Sequence, residues 1–254
     1  MKKKILALCL VVVLAVTAVT GATLAYFTDT DSAKNVMTTG KVNITQNEKQ
    51  RDEDGKLVDF VQDKPLFPMF DDREEKTDDT VVVDGYFNAD MKNVVDKIIT
   101  VTNDAEAGAV NQDAYVRTIL AFETNTEYKA GTDVVLRDGK TIFNTYIGHL
   151  GSFKLLERDT IKIDDVEYVL AVKVYEKALA PQETSTPSLK QIFLSPEANN
   201  EVDVLFGTEY TILALSQATQ TGEFASAEEA LNVAFGNLAV VDDATLIEWL
   251  AAAE

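Results

Sequence analysis

Ala114-Tyr115-Val116-Arg117-Thr118-Ile119-Leu120-Ala121-Phe122-Glu123 decides the fold. Val116, Leu120 and Phe122 share one face with Thr118, and the opposite face also carries apolar weight. A strand apolar on both faces belongs in the middle of a sheet. Upstream, Val94-Val95-Asp96-Lys97-Ile98-Ile99-Thr100-Val101-Thr102-Asn103 is a β-branched run that ends at a turn-forming Asn-Asp. Downstream, Asp138-Gly139 lies between two strand-like runs within Val134 to Ile147 and predicts a tight hairpin. A turn at Asp164-Asp165 leads into a strand from Tyr168 to Tyr175. Pro181, Pro187 and several Thr and Ser make Ala180 to Ser188 a loop, after which strands resume at Ile192 and Val202 and a long one runs from Tyr210 to Gln220. Strands separated by turns, without regular strand-helix alternation, predict a mainly β fold rather than a parallel α/β sheet.

The texture changes near the C-terminus. Ser226-Ala227-Glu228-Glu229 is a capping box opening a helix through Phe235, and Asp242 or Asp243 caps a last helix carrying Leu246, Trp249 and Leu250 on one side. Both helices are expected to pack on an edge or end of a β-sandwich. No internal repeat is visible.

At the other end, Lys2, Lys3 and Lys4 precede an uncharged run from Ile5 to Ala25, followed by Tyr26-Phe27-Thr28-Asp29. A basic head, an apolar middle and a small-residue exit make a secretory signal. The run is also long enough to be an uncleaved membrane anchor. Thr23 and Ala25, small residues at the minus-three and minus-one positions of a cut between Ala25 and Tyr26, favour removal. Cys9 lies inside the apolar run behind Leu8 and reads as filler. The expected organisation is a signal peptide over 1–25 and a single β-sandwich domain over 26–254. Within that domain, 26–44 is an N-terminal assembly segment and 222–254 a helical part.

Cleavage leaves 229 of the 254 residues, a size compatible with one large β-domain or two small ones and enough to bury roughly 70 to 75% of the unfolded surface. The whole chain carries a net charge of −19, and losing three lysines leaves 20 basic against 42 acidic residues, a net of −22. Such a protein repels nucleic acid and anionic membrane surfaces, so no nucleic-acid partner and no membrane association after cleavage are expected. The mature part has no cysteine, which removes disulfides, thiolate catalysis and thiolate metal sites.

Between signal and core, Val36 to Thr45 alternates with Val36, Val42 and Ile44 on one face and predicts one half-buried strand. The charged stretch Gln46 to Asp63 contains Asp52-Glu53-Asp54-Gly55. With Gly55 at the sixth position of a calcium loop, Gln50 and Val61 fall at its ends, where acidic ligands are required, so a hairpin turn is the better reading. After the apolar Leu66 to Phe70, Asp71 to Asp79 has nothing apolar to bury and reads as a surface loop.

Catalytic equipment is sparse. Zinc hydrolysis draws on three protein ligands, yet His149 is the single histidine. A Ser-His-Asp triad would need the same residue, and no Gly-x-Ser-x-Gly precedes it. His149, in Gly148-His149-Leu150-Gly151, reads as a turn or edge residue. Among 42 acidic residues, paired carboxylates and a loop calcium site stay open. No catalytic residue, metal ligand or cofactor is assigned.

Gly21-Ala22-Thr23-Leu24-Ala25-Tyr26-Phe27-Thr28-Asp29 with Gly40-Lys41-Val42 behind it resembles the TasA/camelysin family of exported fibre proteins of Gram-positive bacteria. Asp96 to Asn103 leading to Asp113-Ala114-Tyr115-Val116-Arg117 looks like that family's paired strands, and Gln217 to Phe224 running into Ser226 to Ala230 is similar to the strand-to-helix passage of clostridial members. The resemblance implies a jelly-roll-like antiparallel β-sandwich with a few helices and cleavage by a SipW-type signal peptidase. It also implies localisation in the extracellular matrix or at the cell surface, and self-assembly into biofilm fibres with possible accessory matrix proteins. Camelysin-like relatives have been classed as metallopeptidases, which the solitary His149 argues against.

The first functional reading is therefore a secreted structural subunit that polymerises by donor-strand exchange, with Tyr26, Phe27, Val36, Val42 and Ile44 in the assembly segment. Two adjacent aromatics at a new terminus are costly to leave in water, and the segment wants a sheet edge, either that of its own subunit or, as the resemblance implies, that of the next one. The alternative is a monomeric adhesion or carbohydrate-binding sandwich, with Tyr146, Tyr175 or Tyr210 as a stacking platform. A hydrolase is the third reading.

Overall fold

The computed structural model describes residues 36–38, 42–60, 82–83, 85–87, 94–107, 112–124, 135–137, 140–142, 147–194, 210–222 and 224–251. The signal segment, Ala25, Tyr26, Phe27, the 71–79 loop, Asp138-Gly139, Tyr146 and Val202 lie outside these residues.

In chain order the strands are β1 (Val36–Thr38), β2 (Ile44–Arg51), β3 (Leu57–Asp59), β4 (Val82–Val83), β5 (Tyr86–Phe87), β6 (Val94–Asn103), β7 (Ala114–Glu123) and β8 (Val135–Arg137). They continue as β9 (Lys140–Ile142), β10 (Ile147–Gly151), β11 (Lys154–Leu155), β12 (Ile161–Ile163), β13 (Val166–Val174), β14 (Leu189–Leu194) and β15 (Ile212–Gln220). Helices α1 (Ala227–Phe235) and α2 (Asp243–Ala251) close the order. One sheet runs β1-β15-β7-β13-β11, with β12 also on β13; the second runs β3-β2-β6-β14-β10-β9-β8; β4 and β5 form a small third pair.

The central position expected of β7 is what the structure has. It pairs antiparallel with β15 from Ile212↔Phe122 to Gln220↔Ala114, and with β13 from Tyr168↔Glu123 to Val174↔Arg117. Its inner face places Leu120 and Phe122 against Ile99, Ile147, Leu189 and Ile192 of the second sheet, which makes the two sheets a sandwich. Its outer face places Ile119 and Ala121 with Leu213, Leu215, Leu246 and Leu250. Burying each of the larger side chains contributes roughly 1.5 to 3 kcal/mol.

That outer layer corrects the expectation for the helices. They cover the outer face of the first sheet, α1 over β15 and β7 and α2 over β12 and β15, not an edge or end. The double apolar face of β7 demands such a cover. Their starts follow the sequence. Ser226 Oγ accepts from Glu229 N at 3.1 Å while Glu229 Oε2 accepts from Ala225 N at 2.9 Å. Asp242 is the second cap, accepting from Thr245 N at 2.9 Å.

The turns are also as read. Asp164 and Asp165 both have positive φ, 45° and 72°, in the two-residue link between paired Ile163 and Val166. Arg137 pairs with Lys140 across the Asp138-Gly139 position. Asp52 Oδ1 accepts from Asp54 N at 3.0 Å and Lys56 N at 2.8 Å, and Gly55 takes φ 77°, so this acidic run turns β2 into β3. On the outer face of the second sheet, Phe87 of β5 packs edge-on against Phe193 with centroids 5.1 Å apart. A Cβ at Gly148 would lie 2.2 Å from the Phe193 ring, so glycine makes that packing possible.

Candidate assembly interface

Val36 to Ile44 is not one strand. Val36, Met37 and Thr38 pair in parallel with Ser216, Gln217 and Ala218 at the edge of the first sheet. Ile44 opens β2 in the second sheet, opposite Asn103. The chain thus crosses from one layer to the other between the two strands. Alternation could not reveal this, because Val42 and Ile44 are buried in the shared interior, with Val101, Ala114, Val116, Tyr175, Leu179 and Ala218. A side chain that enters the core reads alike from either layer.

β1 holds three of the nine residues of β15, and the edge beside it is closed by a side chain. Gln46 of β2 donates Nε2 to the Ala214 carbonyl at 3.2 Å and accepts from Ser216 Oγ at 2.7 Å on Oε1. Ser216 Oγ lies 3.1 Å from Thr118 Oγ1 on β7. Gln46, Ser216 and Thr118 form a polar seam directly under the β1 register.

β2 itself is polar along its length and still forms a strand, because its side chains find partners. Asn47 Nδ2 donates to Thr102 Oγ1 at 2.9 Å, and Glu48 pairs with Lys97, whose Nζ sits 4.2 Å from the Phe60 ring centroid. Arg51 grips Asp96 through Nε at 2.6 Å and Nη2 at 2.8 Å, its backbone N–H adds a bond at 3.0 Å, and Gln191 Nε2 donates to the same carboxylate at 2.8 Å. Burial alone would raise the Asp96 pKa, but these donors together lower it below the usual carboxylate range. The sequence reading assigned no role to Arg51, Asp96 or Arg117. Their partners lie 36 to 119 residues away, and no local pattern marks such pairs.

His149 is a correction. It lies in β10, wholly buried, with its ring centroid 4.3 Å from that of Phe122. Its Nε2 is 2.9 Å from Tyr210 Oη, which donates to the Glu123 carbonyl at 2.9 Å, so the hydroxyl accepts from an Nε2–H. An internal strand in a sheet of seven is neither turn nor edge, and Tyr210 satisfies the Nε2 of the imidazole within the core. Tyr175 and Tyr210 are buried as well, at 6% and 3% exposure, which removes them as a stacking platform.

Residues 1–63 match the model of the family described as camelysin metallo-endopeptidase. The likeness to the camelysin family is thereby found over the N-terminal quarter of the chain, the part that holds Gly21 to Asp29, β1 and β2. No curated protein and no solved structure matches the chain. The metal implied by that family description does not fit the described residues. His149 is committed to Tyr210, and among those residues no three His, Cys, Asp or Glu side chains gather as a metal-binding group.

Proposed function

We propose that the chain is a secreted structural subunit that polymerises into extracellular biofilm matrix fibres, with β1 as the strand exchanged between subunits. The observation that carries this reading is the slight hold of β1, three residues in parallel register on the edge of β15. Parallel pairing is the weaker kind per residue, and each hydrogen bond contributes about 0.5 to 1.5 kcal/mol. A strand held so lightly is suited to leaving its own sheet for the same edge of another copy, and repetition head to tail gives an open filament. The match over residues 1–63 supports the same reading, since it spans the export signal and the strand together.

Export then acts as the switch. While the signal holds the segment at the membrane, donation is blocked; cleavage after Ala25 by a SipW-type peptidase frees Tyr26 and Phe27. The mature N-terminus is expected at Tyr26, and N-terminal sequencing of secreted material that begins near Met1 would refute this. Electron microscopy of the secreted mature protein tests the function itself, with filaments expected and dispersed monomers contrary to it.

The subunit is not a peptidase on this reading. Purified protein should leave casein intact, with or without a chelator, because His149 is closed off in the core. Chelator-sensitive cleavage would overturn that part.

A further inference from the structure

A cleft of about 460 Å³ opens on the outer face of the first sheet, between α1 and the strands β11 and β13. Arg117, on β7, forms part of its wall and is 2% exposed. Its Nε donates to Gln217 Oε1 at 2.7 Å, Nη1 to Asn232 Oδ1 at 3.1 Å and Nη2 to the Gly236 carbonyl at 3.1 Å. All three acceptors are neutral. A guanidinium has five N–H donors, so this buried cation, which also lies 5.8 Å from the Phe235 ring centroid, keeps donor capacity and meets no carboxylate in direct contact among the described residues. Desolvation pushes its pKa down to about 10, with Glu228 acting against that.

We propose that this cleft binds a carboxylate, supplied either by a small organic acid or by the C-terminal end of a peptide. A planar guanidinium with spare N–H groups matches a carboxylate. A buried cation whose acceptors are all neutral also gains most from such a partner. The Gly236 carbonyl at the end of α1 satisfies part of the demand through the helix dipole, but a dipole end carries only about half a charge. Selectivity follows from the rest of the wall. Lys154 and Lys173 add positive charge, while Glu157, Glu176 and Glu228 hold the total near neutral. With the wall near neutral, nothing compensates the second charge of a dianion such as phosphate, so a monoanion is preferred.

The test is a titration of the ¹⁵N-labelled mature protein, following Arg117 Nε–Hε by NMR at constant ionic strength. The probes are propionate, N-acetylglycine, N-acetylglycinamide and inorganic phosphate. Propionate and N-acetylglycine are expected to give saturable shifts; tighter N-acetylglycine assigns the cleft to a chain terminus, and equal affinities to a free acid. Glu228→Gln should tighten binding, and Lys154→Glu should weaken it, each by roughly two- to fivefold, without touching Arg117. Four outcomes would each overturn the proposal: no saturable shift, a response to the amide, phosphate binding as tight as propionate, or affinities unchanged in both variants.

Discussion

A mature protein lacking residues 26–39 is expected to fold and to form no filaments. The deletion takes away β1, whose short parallel pairing with Ser216, Gln217 and Ala218 is worth about 0.5 to 1.5 kcal/mol per hydrogen bond. It leaves Val42 and Ile44 in the core, the β2 pairing from Ile44 to Lys49 on β6, and the Gln46 contact with Ala214 and Ser216. A loss of about 1 to 3 kcal/mol in a domain of this size lowers Tm by roughly 2 to 12 °C, far short of unfolding it. Polymerisation falls to background, because the segment proposed as donor is gone while its acceptor edge remains. Melting curves and negative-stain micrographs of the truncated protein read the two halves separately. Phe27→Asp should lie between the two, weakening filaments by placing an unpaired charge where an apolar ring is to be buried.

The largest expected loss of stability comes from Asp96→Ala. Asp96 is 9% exposed and meets Arg51 through both oxygens, so its removal leaves a guanidinium with its charge unmatched at the root of β2. Breaking a buried pair from one side costs about 3 to 5 kcal/mol. Denaturant unfolding at neutral pH should show that deficit as a lowered midpoint. The pH dependence identifies its origin. The folded pKa of Asp96 lies below its unfolded value, so its contribution is full above the ordinary carboxylate range and is lost as pH falls through the folded value. Glu123 has the opposite sign, since burial raises its pKa and acid favours its folded form. The gap between wild type and variant should therefore narrow on acidification; a gap independent of pH would assign the loss to packing.

What the sequence discloses here is local. β7 was legible as a central strand because a ten-residue run with both faces apolar belongs between two neighbours, but the helical cover its outer face needs was placed at an edge or end instead. The turn at Asp164-Asp165 and the caps at Ser226 and Asp242 were legible because their chemistry is contained within a few residues. The crossing between β1 and β2 was not, since Val36, Val42 and Ile44 keep one period while the chain changes sheets. His149 misled because Gly-His-Leu-Gly resembles a turn. The glycines serve packing instead, Gly148 clearing space for Phe193 inside a strand. The polar strand β2 depended on Asp96, Lys97 and Thr102, each about fifty residues distant, and pairing over that range leaves no trace in a window.

Exchange of β1 is the central claim, and one engineered disulfide addresses it. Thr38 is the register partner of Ala218, adjacent strands lie about 4.8 Å apart, and residues 26–254 contain no cysteine. In the double variant T38C and A218C, oxidation of the monomer should lock β1 onto its own sheet and prevent filaments, with reduction restoring them. Filaments assembled under reducing conditions and then oxidised should run as a ladder of covalent multimers on a denaturing gel. Filaments that yield only monomers after oxidation, with the disulfide formed within each chain, would show that β1 never leaves its own subunit and would contradict the account.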